Sequence, residues 1–256
     1  MSSLKLEEIV FLIYSCKEYE SKRCAVEETW LLGVSDPVYV LDHDPGNIKD
    51  LMRIDVTGYD QLSKKTLQMW QRVNEKYGSQ KKWFVKIDDD CYLWPDRLLA
   101  YLSQFDSTEA WYIGNTMPWY KKKRDSWVNG ATYVLSRECV RRLSKALNEE
   151  TVRNHFCSIN EEDVSVGECL KELGVNPTHL DEIKTSLKVR EIWNELNTSI
   201  SIASLSPFRL KMVHRLSATQ LPIVKDTLIM TLQWIARIKY FYFSMLNRIR
   251  VSACKL

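Results

Sequence analysis

Glycine and proline are scarce in this sequence, with 8 and 7 residues among 256, and no repeat or low-complexity tract is present. These features exclude collagen-like, repeat and disordered chains. No serine- or glycine-rich linker marks a boundary between two large domains. Because 45% of the residues are hydrophobic, the chain is long enough to bury a sizeable core.

Cysteine pairs and long apolar runs are also missing. The seven cysteines are odd in number and form no Cys-x-x-Cys pair, so the spacing signals neither a disulfide framework nor a structural zinc site. We expect reduced thiols. The apolar run at 9–14 is too short, and its entry too acidic, for a signal peptide.

Charge of one sign is concentrated only at the C-terminal end. Residues 221–256 carry a net charge of +5, which leaves −2 for residues 1–220. A near-neutral body lacks the basic stripe of a nucleic-acid-binding protein, so we expect no nucleic-acid partner. The longest uncharged stretch of the tail, 227–236, is about half the ~20 residues that a membrane span requires. We expect a helical tail that either packs on the body or makes peripheral contact with a membrane.

Apolar runs and helical patterns alternate along the chain. Short apolar runs predict buried strands at 9–14, 38–41, 51–56, 83–87, 111–114 and 132–136. Helical spacing predicts helices at 17–32, 59–77, 94–105, 137–147 and 160–173, and a mixed stretch follows at 176–205. The alternation predicts an α/β sandwich with a mostly parallel central sheet, whose ligands bind beyond the carboxyl ends of strands. We therefore expect a domain at 1–220 and a basic, aromatic helical appendage at 221–256.

Three consecutive carboxylates, Asp88, Asp89 and Asp90, follow the apolar run at 83–87. They repel one another, and a bound cation best offsets that cost. A solvated turn or an acidic helix start is the alternative. An EF-hand is excluded, because positions 6 and 12 counted from Asp88 are leucines. The site that remains is an Asp-x-Asp site for a divalent ion that bridges to phosphate.

A second acidic cluster, at 161–163, opens a predicted helix. Alone, it is typical of a helix start that complements the helix dipole. In the company of a metal and phosphate site, one of its carboxylates could act as a general base.

These motifs recur in the order and approximate spacing of one family. They are Glu28-Thr29-Trp30, Lys65-Thr66, the acidic segment at 82–92, Trp111-Tyr112-Ile113-Gly114, the loop and strand at 128–136, and Glu162-Asp163-Val164 leading to Gly167. In this respect the chain resembles the fringe-like and core 1-type β1,3-glycosyltransferases over roughly residues 8–180.

The resemblance implies a GT-A fold, a Rossmann-like sandwich that binds a UDP-sugar donor and a divalent ion and inverts the anomeric carbon. It implies that Asp90 binds the metal, that Asp88 and Asp89 face the nucleotide and its ribose, and that Asp163 is the catalytic base. A site of carboxylate and diphosphate oxygens suits Mn²⁺ or Mg²⁺ on chemical grounds as well. The base is worth about 10²–10⁴-fold in rate.

Three further assignments follow from the resemblance. His214 completes the metal site, although a lone histidine is ordinarily a core or surface residue; the other three histidines are expected in turns or loops. Lys65 contacts the donor phosphates, where an exposed helical lysine is the default interpretation. Gly130 belongs to the glycine-rich loop at the donor site.

The chain departs from the family in two respects. The family's Gly-Gly-Ala-Gly loop reads Asn129-Gly130-Ala131-Thr132 here, so two positions where backbone could approach a ligand carry side chains. The N-terminal membrane anchor and lumenal cysteine pairs usual in the family are not evident. We therefore expect a cytoplasmic enzyme at a membrane face, with the Golgi lumen as the alternative if the sequence is a fragment of a longer chain.

The leading hypothesis is an inverting, metal-dependent enzyme that moves galactose, N-acetylglucosamine or glucose from a UDP-sugar to a hydroxyl of a glycan or lipid-linked acceptor, in β1,3 linkage. One alternative is a catalytically inactive relative that serves as a chaperone or partner subunit. A metal-dependent phosphotransferase is a third possibility, but the sequence lacks a phosphate-binding loop of the Gly-x-x-x-x-Gly-Lys-Ser/Thr type.

Overall fold

The computed structural model describes residues 3–46, 48–56, 58–116, 127–185, 187, 191–192 and 195–218. The chain divides into two units, Met1–His214 and Arg215–Leu256. Only 215–218 of the second unit are described, so the predicted tail at 221–256 lies outside the described residues. Within the described part of the chain, every helix is too short or too polar to cross a bilayer.

The described residues form ten strands. They are β1 (Ile9–Tyr14), β2 (Val38–Leu41), β3 (Leu51–Arg53), β4 (Trp83–Asp88), β5 (Tyr92–Leu93), β6 (Tyr112–Thr116), β7 (Val128–Ser136), β8 (Pro177–His179), β9 (Ile183–Lys184) and β10 (Ser201–Ile202).

The described residues also form seven α-helices, numbered here in chain order. They are α1 (Glu20–Glu27), α2 (Leu62–Tyr77), α3 (Pro95–Leu102), α4 (Arg137–Ala146), α5 (Glu150–Ser158), α6 (Glu162–Glu172) and α7 (Pro207–Ala218). Short 3₁₀ turns lie at Leu6–Glu8, Lys17–Tyr19, Trp30–Gly33 and Tyr59–Gln61.

The central sheet has seven strands in the order β3-β2-β1-β4-β7-β6-β8. Strand β7 alone runs opposite to the other six, because it pairs antiparallel with both β4 and β6 while the remaining pairs are parallel. Ile87 of β4 pairs with Thr132 of β7. The beginning of β7 therefore lies at the carboxyl end of β4, the edge where ligands bind in such sheets. A small sheet, β5-β10-β9, accompanies the large one.

Strand β1 is buried on both faces, as its unbroken apolar run predicts. Successive side chains of a strand point to opposite faces. Val10, Leu12 and Tyr14 join a core with residues of α2, α4, α5 and α6. Phe11 faces the other way, and its ring packs edge-on against Trp30 with a centroid distance of 6.1 Å. The sheet is thus covered on both sides, and the predicted α/β sandwich is confirmed.

The predicted elements agree best where the pattern is local. The strands at 9–14 and 38–41 match residue for residue, whereas the strand predicted at 132–136 begins at Val128. The single helix predicted at 17–32 is wrong, because α1 covers only part of it. The hydroxyl of Thr29 donates to the carbonyls of Ala25 and Val26 at 2.7 and 3.1 Å, satisfying the last carbonyls of α1.

Candidate active site

The three aspartates at the end of β4 have three different partners. The pairs are Asp88 Oδ1 with Lys86 Nζ at 2.6 Å, Asp89 Oδ2 with Ser15 Oγ at 2.5 Å, and Asp90 Oδ2 with Lys22 Nζ at 3.1 Å. Each carboxylate is therefore held by a different element, so the repulsion expected from the sequence is relieved by divergence of the side chains and by two lysines.

The ammonium group of Lys86 joins three elements. Besides Asp88, it donates to the carbonyl oxygen of Gly130 at 2.6 Å and to Oε1 of Glu162 at 2.8 Å. The rings of Tyr14 and Tyr133 lie 4.7 and 5.8 Å from the same nitrogen. Lys86 is 1% exposed, so this charge is stabilised almost entirely by protein groups.

Burial and charge act in opposite directions within this network. Burial favours the neutral form of Lys86, but the facing carboxylates of Asp88 and Glu162 outweigh it and raise its pKa well above the usual lysine value. Burial raises the pKa of Glu162 to about 7, against the opposing effect of Lys86. The hydroxyl of Tyr133 also donates to Glu162 Oε2, at 3.3 Å.

Asp163 sits beside Glu162 in the first turn of α6 but has a different environment. Its Oδ2 accepts the backbone N–H of Gly130 at 3.0 Å, and its Oδ1 accepts that of Val164 at 2.9 Å. Asp163 is partly exposed, whereas Glu162 is only 6% exposed. Burial raises the pKa of Asp163, and the N–H of Gly130 partly offsets that effect. Of the two carboxylates, Asp163 is therefore the more accessible to solvent.

Gly130 is the point where β7 and α6 come closest. A Cβ atom at this position would lie 2.5 Å from Glu162 Oε1 and 3.2 Å from Asp163 Cβ. Real Cβ contacts are not that short, so a side chain here would displace the carboxylates. The absence of a side chain at Gly130 thus allows β7 to pack closely against α6.

The neighbouring positions of the loop do not leave their side chains free. Asn129 Oδ1 accepts the N–H of Ala131 at 3.0 Å, and Thr132 Oγ1 lies 3.0 Å from Ser201 Oγ in β10. Thr132 is 1% exposed. The departure from the glycine-rich pattern is therefore accommodated inside the protein at Thr132.

Asp89 and Lys65 both bind Ser15, the residue that directly follows β1. Lys65 Nζ donates to the backbone carbonyl of Ser15 at 2.5 Å, and the hydroxyl of Ser15 binds Asp89. Lys65 is 5% exposed, so the default expectation of an exposed helical lysine is wrong. Burial lowers the pKa of Lys65, and burial raises the pKa of Asp89 to about 7. Tyr14 completes this corner with its ring 4.3 Å from the lysine nitrogen.

Asp88 and Asp90 are the two strand-end carboxylates that solvent reaches, whereas Asp89 is buried. The side chain of Asp90 is 25% exposed and faces the ammonium group of Lys22, and that of Asp88 is 35% exposed and faces Lys86. Among the described residues, no group of three or more histidine, cysteine, aspartate or glutamate side chains could hold a metal ion. A carboxylate oxygen such as that of Asp90 is a hard ligand of the kind that divalent cations prefer.

His214 of α7 connects to the acidic segment through Tyr92, whose hydroxyl lies 3.0 Å from Nδ1. Burial lowers the pKa of His214, which favours the neutral imidazole that metals bind. Ligation through Nε2 requires the tautomer in which Nδ1 donates its proton to Tyr92. Of the remaining histidines, the prediction of loops is wrong for His155 and His179, which lie in α5 and β8.

Lys86, Glu162, Ser15 and Lys22 form the site together with the predicted residues, but the sequence analysis did not assign them roles. One signal was available. Lys86 is the only charged residue within the apolar run at 83–87, and a charge in a strand buried on both faces must be paired. Trp30 was known only as part of a motif; its Nε1 donates to the carbonyl of Cys91 at 3.0 Å and so anchors the acidic turn.

The sheet with one reversed strand, the strand-end aspartates and the carboxylates of α6 define an α/β domain of the GT-A class. A family model described as fringe-like matches residues 4–206. The chain belongs to the fringe-like family, and the resemblance inferred from the motifs is confirmed.

Curated relatives with similar sequences are glycosyltransferases by name. Glycoprotein-N-acetylgalactosamine 3-beta-galactosyltransferase 1 of Xenopus laevis is 31% identical over 118 residues, which are 46% of this chain and 32% of that protein. N-acetyllactosaminide beta-1,3-N-acetylglucosaminyltransferase 4 of Mus musculus is 24% identical over 69% of this chain and 59% of its own length. Beta-1,3-glucosyltransferase of Mus musculus is 28% identical over 69% of this chain and 36% of its own length. The chain thus spans about a third to three-fifths of these relatives.

Proposed function

We propose that this protein is an inverting, divalent-metal-dependent glycosyltransferase that transfers a hexose from a UDP-sugar to a hydroxyl of a glycan or lipid-linked acceptor, in β1,3 linkage. The observation that carries the proposal is the contact of Gly130 with Asp163. It sets an accessible carboxylate of α6 beside the strand end that bears Asp88 and Asp90. Membership of the fringe-like family and the names of the relatives support the reaction class.

In the proposed reaction Asp163 accepts the proton of the acceptor hydroxyl. The acceptor oxygen bonds to the anomeric carbon, and the bond between that carbon and the diphosphate oxygen breaks with its electron pair leaving on UDP. Because burial raises the pKa of Asp163, the carboxylate is a stronger base than an exposed aspartate. The N–H groups of Gly130 and Val164 keep the carboxylate oriented.

The donor side of the proposed site contains Asp88, Asp90 and His214. Asp90 and His214 would hold a divalent cation, Mn²⁺ in preference to Mg²⁺ because of the imidazole, and the bound ion would neutralise charge on the leaving diphosphate. Asp88 faces the nucleotide, while Asp89 and Lys65 fix the ends of β1 and β4 from inside. The identity of the hexose depends on the shape of the pocket around this edge.

The test is release of UDP by the purified protein from a panel of UDP-sugars, with and without sugar acceptors, in Mn²⁺ or EDTA. We expect Mn²⁺-dependent release from one donor, and a loss of about 10²–10⁴-fold in transfer for Asp163→Asn. Glu161→Gln is the matched control, since Glu161 is exposed and lies in the same acidic cluster. Equal activity of Asp163→Asn and Glu161→Gln would remove Asp163 as the base.

If no UDP is released, a measurement of UDP binding distinguishes a missing acceptor from an inactive protein. If the protein binds UDP in a Mn²⁺-dependent manner but releases none from any donor, the correct acceptor is missing from the panel. If it neither binds nor turns over, the proposed function fails and the inactive partner subunit becomes the better hypothesis.

A further inference from the structure

The ammonium group of Lys86 is saturated with partners from three different elements. A lysine has three N–H donors, and these point to Asp88 of β4, to the carbonyl of Gly130 in β7 and to Glu162 of α6. A solvated lysine needs no such arrangement. A buried charge in a strand does, and removal of the cation would leave Asp88 and Glu162 facing each other.

Gly130 connects Lys86 to Asp163 through its two backbone hydrogen bonds. Its carbonyl oxygen accepts from Lys86, while its own N–H donates to Asp163 Oδ2. The second connection runs through α6, because Glu162 is the residue immediately before Asp163 and is fixed by Lys86. Lys86 is therefore linked to Asp163 by two routes, one through Gly130 and one through Glu162.

The charge of Lys86 also acts on Asp163. The charged or titratable groups that face Asp163 are Lys86 and Asp88 of β4, Glu162 of its own helix and Tyr112 of β6, and the charge of Asp163 raises the pKa values of the last three. Lys86 is the cation in this set and lowers the pKa of Asp163. Without it, burial would hold the proton on Asp163 to higher pH.

We propose that Lys86 is a positioning residue for Asp163, which it fixes through Gly130 and Glu162. The proposal rests on the proposed function, in which Asp163 accepts the proton of the acceptor hydroxyl. A purely structural lysine would stabilise the fold but leave the ionisation of Asp163 unchanged.

The decisive measurement is the pKa of Asp163 in wild type and in Lys86→Met. It is determined by a pH titration monitored by carbon-13 NMR of the aspartate carboxyl groups. The resonance is assigned by its loss in Asp163→Asn. We expect the pKa to rise by about one unit in Lys86→Met, a tenfold change in the ionisation constant. Lys82→Met is the matched control, because Lys82 pairs with Glu8 at the opposite end of β4. An unchanged pKa in Lys86→Met would overturn the proposal.

Kinetics supply a second readout if transfer is found. We expect kcat of Lys86→Met to fall at least tenfold and its acid limb to move to higher pH, with a smaller change in the Kd for UDP. If Lys86→Met does not fold, Lys86→Met/Glu162→Gln removes one charge of each sign from the buried network. We expect the double variant to fold and to remain at least tenfold below Glu162→Gln in kcat. Equal kcat values would overturn the proposal.

The two proposals fail in different ways. A wild type that neither binds UDP nor transfers a sugar, but in which Asp163 still responds to Lys86→Met, would refute glycosyl transfer and retain the positioning role. An active wild type in which neither the pKa nor kcat responds would retain the enzyme and refute the role of Lys86.

Discussion

A methyl group at position 130 tests the closest packing contact of the site. In Gly130→Ala the added Cβ would lie 2.5 Å from Glu162 Oε1, so the carboxylate must move several tenths of an ångström or more. The displacement lengthens the 2.8 Å bond to Lys86. The glycine has no positive φ, so the expected effect comes from contact and not from backbone strain.

The size of the effect follows from the contact that is lost. Hydrogen bonds to charged groups contribute about 1.5–3 kcal/mol, and overpacking costs about 1–3 kcal/mol. We take about 2 kcal/mol as the expected loss of stability, which corresponds to a fall of about 4–8 °C in Tm for a domain of this size. Asp163 shifts as well, because the same Cβ would lie 3.2 Å from its own Cβ. We expect transfer to fall at least tenfold.

The assay is thermal unfolding by calorimetry together with the rate of transfer. Gly33→Ala is the matched control, since a Cβ there meets nothing within 4 Å and its φ is not positive. We expect Gly33→Ala to change Tm by less than about 2 °C. If Gly130→Ala had the Tm and the activity of Gly33→Ala, the packing of Gly130 against Glu162 and Asp163 would be refuted as a constraint on the site.

Two further predictions concern metal affinity and pH. Asp90→Ala should weaken Mn²⁺ binding measured by calorimetry. Lys22→Met should strengthen Mn²⁺ binding about two- to fivefold, because it removes the ammonium group that competes for Asp90. Unchanged Mn²⁺ affinity in both variants would contradict a metal at Asp90. Because burial raises the pKa of Glu162 from 4.5 to about 7, its protonation stabilises the fold fully below pH 4.5, and this stability is lost as pH rises through 7. We expect the Tm of wild type to fall relative to Glu162→Gln over that interval; parallel pH profiles would disprove the shifted pKa.

Local patterns were sufficient to predict the strands that enter the site. The runs at 9–14 and 83–87 are apolar without alternation, and both are central strands of the sheet. The order of the motifs also predicted the family, which the family match confirms. The strand signal lies in adjacent residues, where chain geometry leaves few alternatives.

The connections across the site could not be predicted in the same way. Lys86 reaches Gly130 and Glu162 over 44 and 76 positions of sequence, and a hydrophobic pattern contains no information about such pairs. The antiparallel direction of β7 is likewise a tertiary property. Helix α5 was missed, and residues 51–56 form a shorter strand than predicted.

Several assignments stay predictions. The roles of the strand-end carboxylates and His214 depend on a bound donor and metal. The helical tail, its membrane contact, the absence of a nucleic-acid partner and the cytoplasmic location are predictions from the sequence. The tail at 221–256 lies outside the described residues.

The buried lysine of β4 has a consequence for the order of folding. Its partner in α6 is synthesised 76 residues later, so the charge on the central strand has no complete counter-ion set while the chain is being made. The entropy cost of closing that long loop comes before the favourable pairing of Lys86 with Glu162. The pairing is therefore intrinsically a late event in folding. A nascent chain that ends before α6 would keep β4 partly hydrated, and the strand would lose this water as the carboxylate of α6 docks. Docking of α6 would therefore bring Asp163 to the end of β4 in the same step that completes the counter-ion set of Lys86.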